Sequence, residues 1–165
     1  MQILSILALA APILGAVIKD TSIDSSINGT VIRDDIKVLC GAPPTTPDNN
    51  FPAYQYAYPI GLLLSGGSRK FHLDAGPGNC KQAACNAGGG PGVFICNDAT
   101  HSIDILYTDA GYFAQQVYRQ CKTRHADGVD WVEKGQAFCP DNWNVILTDV
   151  GPNCEASTLP PDSSA

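Results

Sequence analysis

The spacing of apolar and polar positions changes several times along this chain, and each change marks an element. Ile3 to Ala16 is an almost unbroken apolar run, interrupted by Ser5, Pro12 and Gly15, with no charge before Lys19. It is shorter than the roughly 20 apolar residues that a membrane helix needs. Ala8-Leu9-Ala10 supplies a small-x-small cleavage signal, so the pattern predicts a signal peptide over 1–10 and a mature start at Ala11. From Val17 to Lys37, Ile and Val alternate with Asp, Ser and Thr, and 11–39 is expected to be a flexible arm or pro-segment. Asn28-Gly29-Thr30 within it is an N-glycosylation acceptor. The prolines and Asn run of Gly41–Asn50 break helix and ladder alike and predict a loop.

Beyond that loop, Tyr54, Ala57, Tyr58, Gly61 and Leu62 recur at helical spacing, with Pro59 inside the run. Phe71 and Leu73 alternate in a short strand, and Gly88–Gly92 turns the chain into Val93-Phe94-Ile95-Cys96, a buried-strand composition. Asn97–Thr100 reads as a turn and Ile103, Ile105 and Tyr107 as a returning strand, which predicts a hairpin. Asp109 is expected to cap a helix whose apolar face is Ala110, Phe113, Ala114, Val117, Tyr118 and Cys121. Arg119, Lys122, Arg124 and His125 gather at its end, where positive charge suits the helix dipole. Gln136–Phe138 and Trp143–Leu147 read as two further strands. Strand pair, helix, strand pair predicts an α+β fold with an antiparallel sheet. Residues 40–154 are the expected domain, and 155–165, small, polar and Pro-rich, the expected disordered tail.

Composition narrows the possibilities. A net charge of −6 disfavours nucleic-acid binding, which draws on a basic face, and polybasic attachment to membranes. The seven cysteines, Cys40, Cys80, Cys85, Cys96, Cys121, Cys139 and Cys154, are disulfide candidates in an oxidising compartment. Their odd number leaves one outside any set of intrachain bridges, and spacing alone leaves the pairing open. No C-x-x-C pair or finger-like His spacing is present, so no metal site and no cofactor are expected.

Candidate chemistry is sparse. A nuclease-like hydrolase would need two acid/base groups and a cation; His72, His101, Glu133, Arg69 and Arg119 supply the types, yet no spacing selects them. His125 follows a helix end, and Cys121 beside it is expected to be bridged rather than nucleophilic. Asp98 and Asp141 sit in turn sequences and Asp109 at a helix start, which accounts for them without catalysis. No G-x-S-x-G elbow occurs. No catalytic residues are therefore assigned. Tyr54, Tyr56 and Tyr58, with Trp131 in a polar loop, are the candidate contact residues for a protein or carbohydrate partner.

The stretch from Cys80 to Cys154 resembles fungal small secreted cysteine-rich proteins of the killer-toxin-like and extracellular effector type. The resemblance is carried by Cys80-x4-Cys85, the glycine-rich turn, Val93–Asp98, the helix ending at Cys121, Gly135–Phe138, Asn142–Ile146 and the final Cys154. It implies an antiparallel sheet with one or two helices on one face, held by about three disulfides, with Cys139 as the extra cysteine. A bridge from Cys96 to Cys121 is expected from the adjacency of strand and helix. The implied role is that of a secreted, extracellular, non-enzymatic effector or toxin-like protein. Its partner would be a host protein, a glycan or another component of a host or competitor surface. A small extracellular hydrolase and a cell-wall-binding protein are the alternatives.

Overall fold

The computed structural model describes residues 26–27, 30–31, 36–41, 43, 50–156 and 158–159. The expected signal peptide, the Asn28 acceptor, most of the 11–39 arm and the end of the tail lie outside the described residues. The chain divides into two units, 1–32 and 33–165. In the first, β1 (Ser26–Ile27) pairs antiparallel with β2 (Thr30–Val31).

The second unit is α+β, stabilised by disulfides. Its centre is a five-stranded antiparallel sheet in the order β3 (Lys37–Cys40), β11 (Gly135–Cys139), β12 (Trp143–Asp149), β7 (Pro91–Asn97), β6 (Asn79–Cys85). Two smaller antiparallel sheets join β4 (Phe51–Pro52), β10 (Asp130–Val132) and β9 (Lys122–Arg124), and β5 (Lys70–Leu73) with β8 (Ile103–Leu106). A 3-10 turn, Ala53–Tyr56, leads into α1 (Ala57–Leu64), and β8 runs directly into α2 (Tyr107–Gln120).

Alternation within the central strands divides the sheet into two faces. Val93, Ile95, Ala137, Trp143, Val145 and Leu147 enter the same apolar core as Ile60, Leu63, Phe113, Ala114 and Val117 of the helices. Phe113 meets Trp143 with ring centroids 4.6 Å apart. Gly135 lets α2 settle on β11, since a Cβ there would lie 2.6 Å from Val117 Cγ1 and 2.8 Å from Cys121 Sγ. Gly111 does the same between the helices, where a Cβ would lie 2.9 Å from the Leu64 backbone nitrogen. The intervening positions, Phe94, Cys96, Gln136, Asn144 and Ile146, point to the opposite face.

Three disulfides link Cys40 to Cys121, Cys80 to Cys96 and Cys85 to Cys154. The expected Cys96–Cys121 bridge is therefore incorrect. Cys96 lies directly across the ladder from Cys80 on the face away from the helices, whereas Cys121 ends α2 on the covered face beside the edge strand β3. Cys139 is in none of the three bridges; its buried thiol lies 3.7 Å from Asp141 Oδ2.

Other expectations change for physical reasons. The hairpin between Val93–Cys96 and Ser102–Tyr107 does not form: β7 pairs with β6 and β12, and β8 pairs with β5. Asp109 is not the cap of α2. The helix starts at the strand end, where Leu106 is the extended N-cap residue and Tyr107 N–H donates to Arg69 O at 3.1 Å. Asp109 sits in the first turn, where a carboxylate suits the dipole. Pro59 is accommodated in the first turn of α1, where the helix needs no donor. Residues 37–39, placed in the arm by their pattern, form an edge strand of the main sheet. The start of the expected disordered tail is tied down: Cys85 N–H donates to Ala156 O at 3.1 Å, and Leu159 packs against the core.

Candidate functional site

The aromatic candidates separate. Ala53, Tyr56, Pro59, Ile60 and Leu63 form the buried side of the 3-10 turn and α1. Tyr56 is wholly buried and is thus unavailable as a contact residue, while Tyr54 and Tyr58 are 70% and 51% exposed. Burial holds the Tyr56 phenol well above its ordinary pKa, and the charge of Asp149 adds to that effect. Among the described residues its hydroxyl has no hydrogen-bond partner. Trp131 lies not in a loop but in β10, half-buried, stacked on His125 with centroids 5.2 Å apart.

The histidines are held at three different places. His72 Nδ1 lies 2.8 Å from Asp104 Oδ1, across the β5–β8 pair. Asp74 is 3.8 Å from His72 Nε2 and accepts from Lys81 Nζ at 2.9 Å. The hydrogen bond from Lys81, reinforced by its charge, lowers the pKa of Asp74. All four side chains are substantially exposed, so these pairs contribute little to stability. His101 contributes its carbonyl to Asn97, and His125 is the ring stacked on Trp131. Among the described residues, no group of three or more His, Cys, Asp or Glu is placed to hold a metal ion.

The most organised polar arrangement lies on the face of the central sheet opposite the helices. A cavity of about 390 Å3 is walled by Phe94, Ile146 and the Cys80–Cys96 bridge, with Gln136, Asn144 and Asp98 among its polar groups. The ladder registers explain the grouping: Gln136 lies opposite Ile146, Ile146 opposite Phe94, and Asn144 opposite Cys96. Side chains directly opposite one another share a face. Gln136 Nε2 donates to Asn144 Oδ1 at 2.8 Å, and Asn144 Nδ2 donates to Asp98 Oδ2 at 2.6 Å. The chain ends on an acceptor-only carboxylate, which fixes the orientation of both amides. The second carboxylate oxygen of Asp98 accepts from Gly78 N–H at 3.3 Å.

Asp98 is held in place by its neighbour. Asn97 is fully buried; its Nδ2 donates to Asp74 O at 2.8 Å and His101 O at 2.7 Å, and its Oδ1 accepts from Ala99 N–H at 2.8 Å. One amide thus ties the end of β7 to the chain leaving β5 and to the turn before β8. A second cavity of about 590 Å3 adjoins the first through Phe94 and Cys80, and carries Gln82, Asn153, Glu155 and Lys81.

Sequence reasoning assigned Asp98 to a turn and passed over Gln136, Asn144 and Phe94. The available signal was a polar Asn144 inside the otherwise apolar run Trp143–Leu147. No known protein family, curated protein or solved structure matches this chain. Three disulfides fit an oxidising compartment, and among the described residues no helix is long and apolar enough to cross a membrane.

Proposed function

We propose that this is a secreted, non-enzymatic protein of the effector or toxin-like type, which acts by binding a component of a host or competitor cell surface. The observation that carries the reading is the preorganised amide–carboxylate chain Gln136–Asn144–Asp98 beside Phe94 and Ile146. Concave sites with a mostly apolar lining and a few fixed polar groups are typical of recognition. Support also comes from the histidines, none of which lines either cavity. The apolar leader and the cysteine framework support secretion.

The test is to apply purified, disulfide-intact protein to plant tissue and to competitor microbial cells, with reduced and alkylated protein as control. A response or cell-surface binding that requires the intact bridges is expected. Absence of both, together with turnover of RNA or polysaccharide abolished by His72→Ala, would replace this reading with the hydrolase.

A further inference from the structure

The geometry points to a neutral oligosaccharide as the ligand of the sheet face opposite the helices, with Phe94 as the wall shared by two adjoining sugar subsites. This deepens the recognition role proposed above and rests on it.

Three observations lead to it. First, the cavities of about 390 and 590 Å3 meet at Phe94 and Cys80, so the depression is extended and has a partly exposed aromatic ring at its middle. Both volumes fall within the roughly 300–1,000 Å3 of ligand clefts. A half-exposed ring offers an apolar, electron-rich face to the C–H side of a pyranose.

Second, the polar groups are the kinds that pair with hydroxyls. Asn144 is engaged at both ends by Gln136 and Asp98, and Gln82 Oε1 accepts from Glu155 N–H at 2.6 Å. The side-chain amides of Gln136 on one side and Asn153 on the other each carry both donors and an acceptor. A hydroxyl does the same. Gln136 uses one amide hydrogen on Asn144, which leaves its carbonyl oxygen and second hydrogen for a ligand. The carboxylates of Asp98 and Glu155, one per cavity, add acceptors.

Third, the other ligand classes fit poorly. An anionic glycan or phosphate would meet Asp98 and Glu155, while the lysine of the groove, Lys81, is already engaged by Asp74 at 2.9 Å. A peptide added as a strand needs a free sheet edge, whereas β7 and β12 are central strands. The edge strand β6 is met by the C-terminal segment, with Cys85 N–H donating to Ala156 O at 3.1 Å and Glu155 N–H to Gln82 Oε1 at 2.6 Å. The named walls also lack the Trp, Tyr and Arg that dominate protein–protein hot spots.

The experiment measures binding of the purified protein to three neutral series, β-glucan, chitin and mannan oligomers of one to six units, by calorimetry. A sulfated glycan and a polyuronate serve as anionic controls. One neutral series is expected to bind, with affinity rising at least tenfold from monomer to trimer as the second subsite fills. Phe94→Ala should lower that affinity at least tenfold, and Glu155→Gln, in the second cavity, should weaken the trimer more than the monomer. Disulfide mapping and circular dichroism verify that both variants fold. Binding of the anionic glycans alone, or of a peptide library alone, overturns the proposal. If Phe94→Ala abolishes attachment to target cells while every neutral oligomer fails to bind, the glycan assignment is wrong and the recognition face stands. Attachment unaffected by Phe94→Ala overturns the groove itself.

Discussion

Replacing Asn97 tests how the fold delivers Asp98 to the groove. The side chain has no exposed surface and makes three hydrogen bonds, to Asp74 O, His101 O and Ala99 N–H. Asn97→Ala removes all three. Each net bond contributes roughly 1 kcal/mol, and a buried donor left without a partner costs about 1–3 kcal/mol. Asp74 and His101 are exposed residues whose carbonyls can regain water, but Ala99 is buried, so its N–H is the costly orphan. The expected loss is about 3 kcal/mol in all. Asn97→Asp is the sharper probe because it preserves shape and keeps the acceptor for Ala99 N–H. It places a carboxylate oxygen against two carbonyls, so at neutral pH it should destabilise more than N97A.

Burial and those carbonyls would raise the folded-state pKa of the introduced carboxyl above its unfolded value of about 3.9. By linkage, a raised folded pKa gives relative stability at low pH that is lost as pH rises through it, so the N97D penalty should shrink toward pH 4. Urea denaturation with intact disulfides, followed by tryptophan fluorescence, reads both effects, and the slope should stay unchanged. A loss under about 1 kcal/mol for N97A, or N97D no worse than N97A at pH 7, would falsify this account of the strand end.

Three further outcomes are expected. The chain-entropy relation gives about 4.5 kcal/mol for the Cys40–Cys121 bridge, at a separation of 81 residues, and about 3 kcal/mol for Cys80–Cys96, at 16; the C40A/C121A pair should therefore be the less stable of the two double variants in parallel denaturation curves. Tyr56→Phe removes a buried hydroxyl that has no partner among the described residues, so it should leave stability unchanged or raise it by about 1 kcal/mol, and a clear drop in Tm would show that the hydroxyl is hydrogen-bonded. Arg124 and Lys122 hydrogen-bond to Asp130 and lower its carboxyl pKa. The stabilisation from that pair is present above the ordinary carboxylate value of about 3.9 and lost as pH falls through the folded value. An NMR titration of Asp130 with a midpoint at or above the ordinary value contradicts the contact geometry.

Local patterns were the legible part of the sequence. The α2 stripe from Ala110 to Val117 and the β11–β12 pair announce themselves because their partners lie within a few residues along the chain. The β7–β8 hairpin expectation failed because alternation marks a strand without naming its partner, and the partner of β8 lies about thirty residues upstream in β5. Across the 3-10 turn and α1, apolar and aromatic residues surround the axis, so spacing does not choose the inward face, and Tyr54 and Tyr58 proved to be outside and Tyr56 inside. The groove was hidden for a related reason. Its members come from β7, β11, β12 and the turn after β7, and only the ladder register brings Gln136, Asn144 and Asp98 together.

The pleat of β7 carries a consequence for how such a protein changes over generations. Val93, Ile95 and Asn97 belong to the scaffold, while Phe94, and Asp98 just beyond the strand, belong to the groove. Within the strand the two sets share a backbone but point to opposite faces, so selection can act on one with less effect on the other. Diversification against a shifting target would then be written in a two-residue rhythm. Related chains should vary at 94, 98, 136 and 144 and stay constant at 93, 95, 97, 137 and 145.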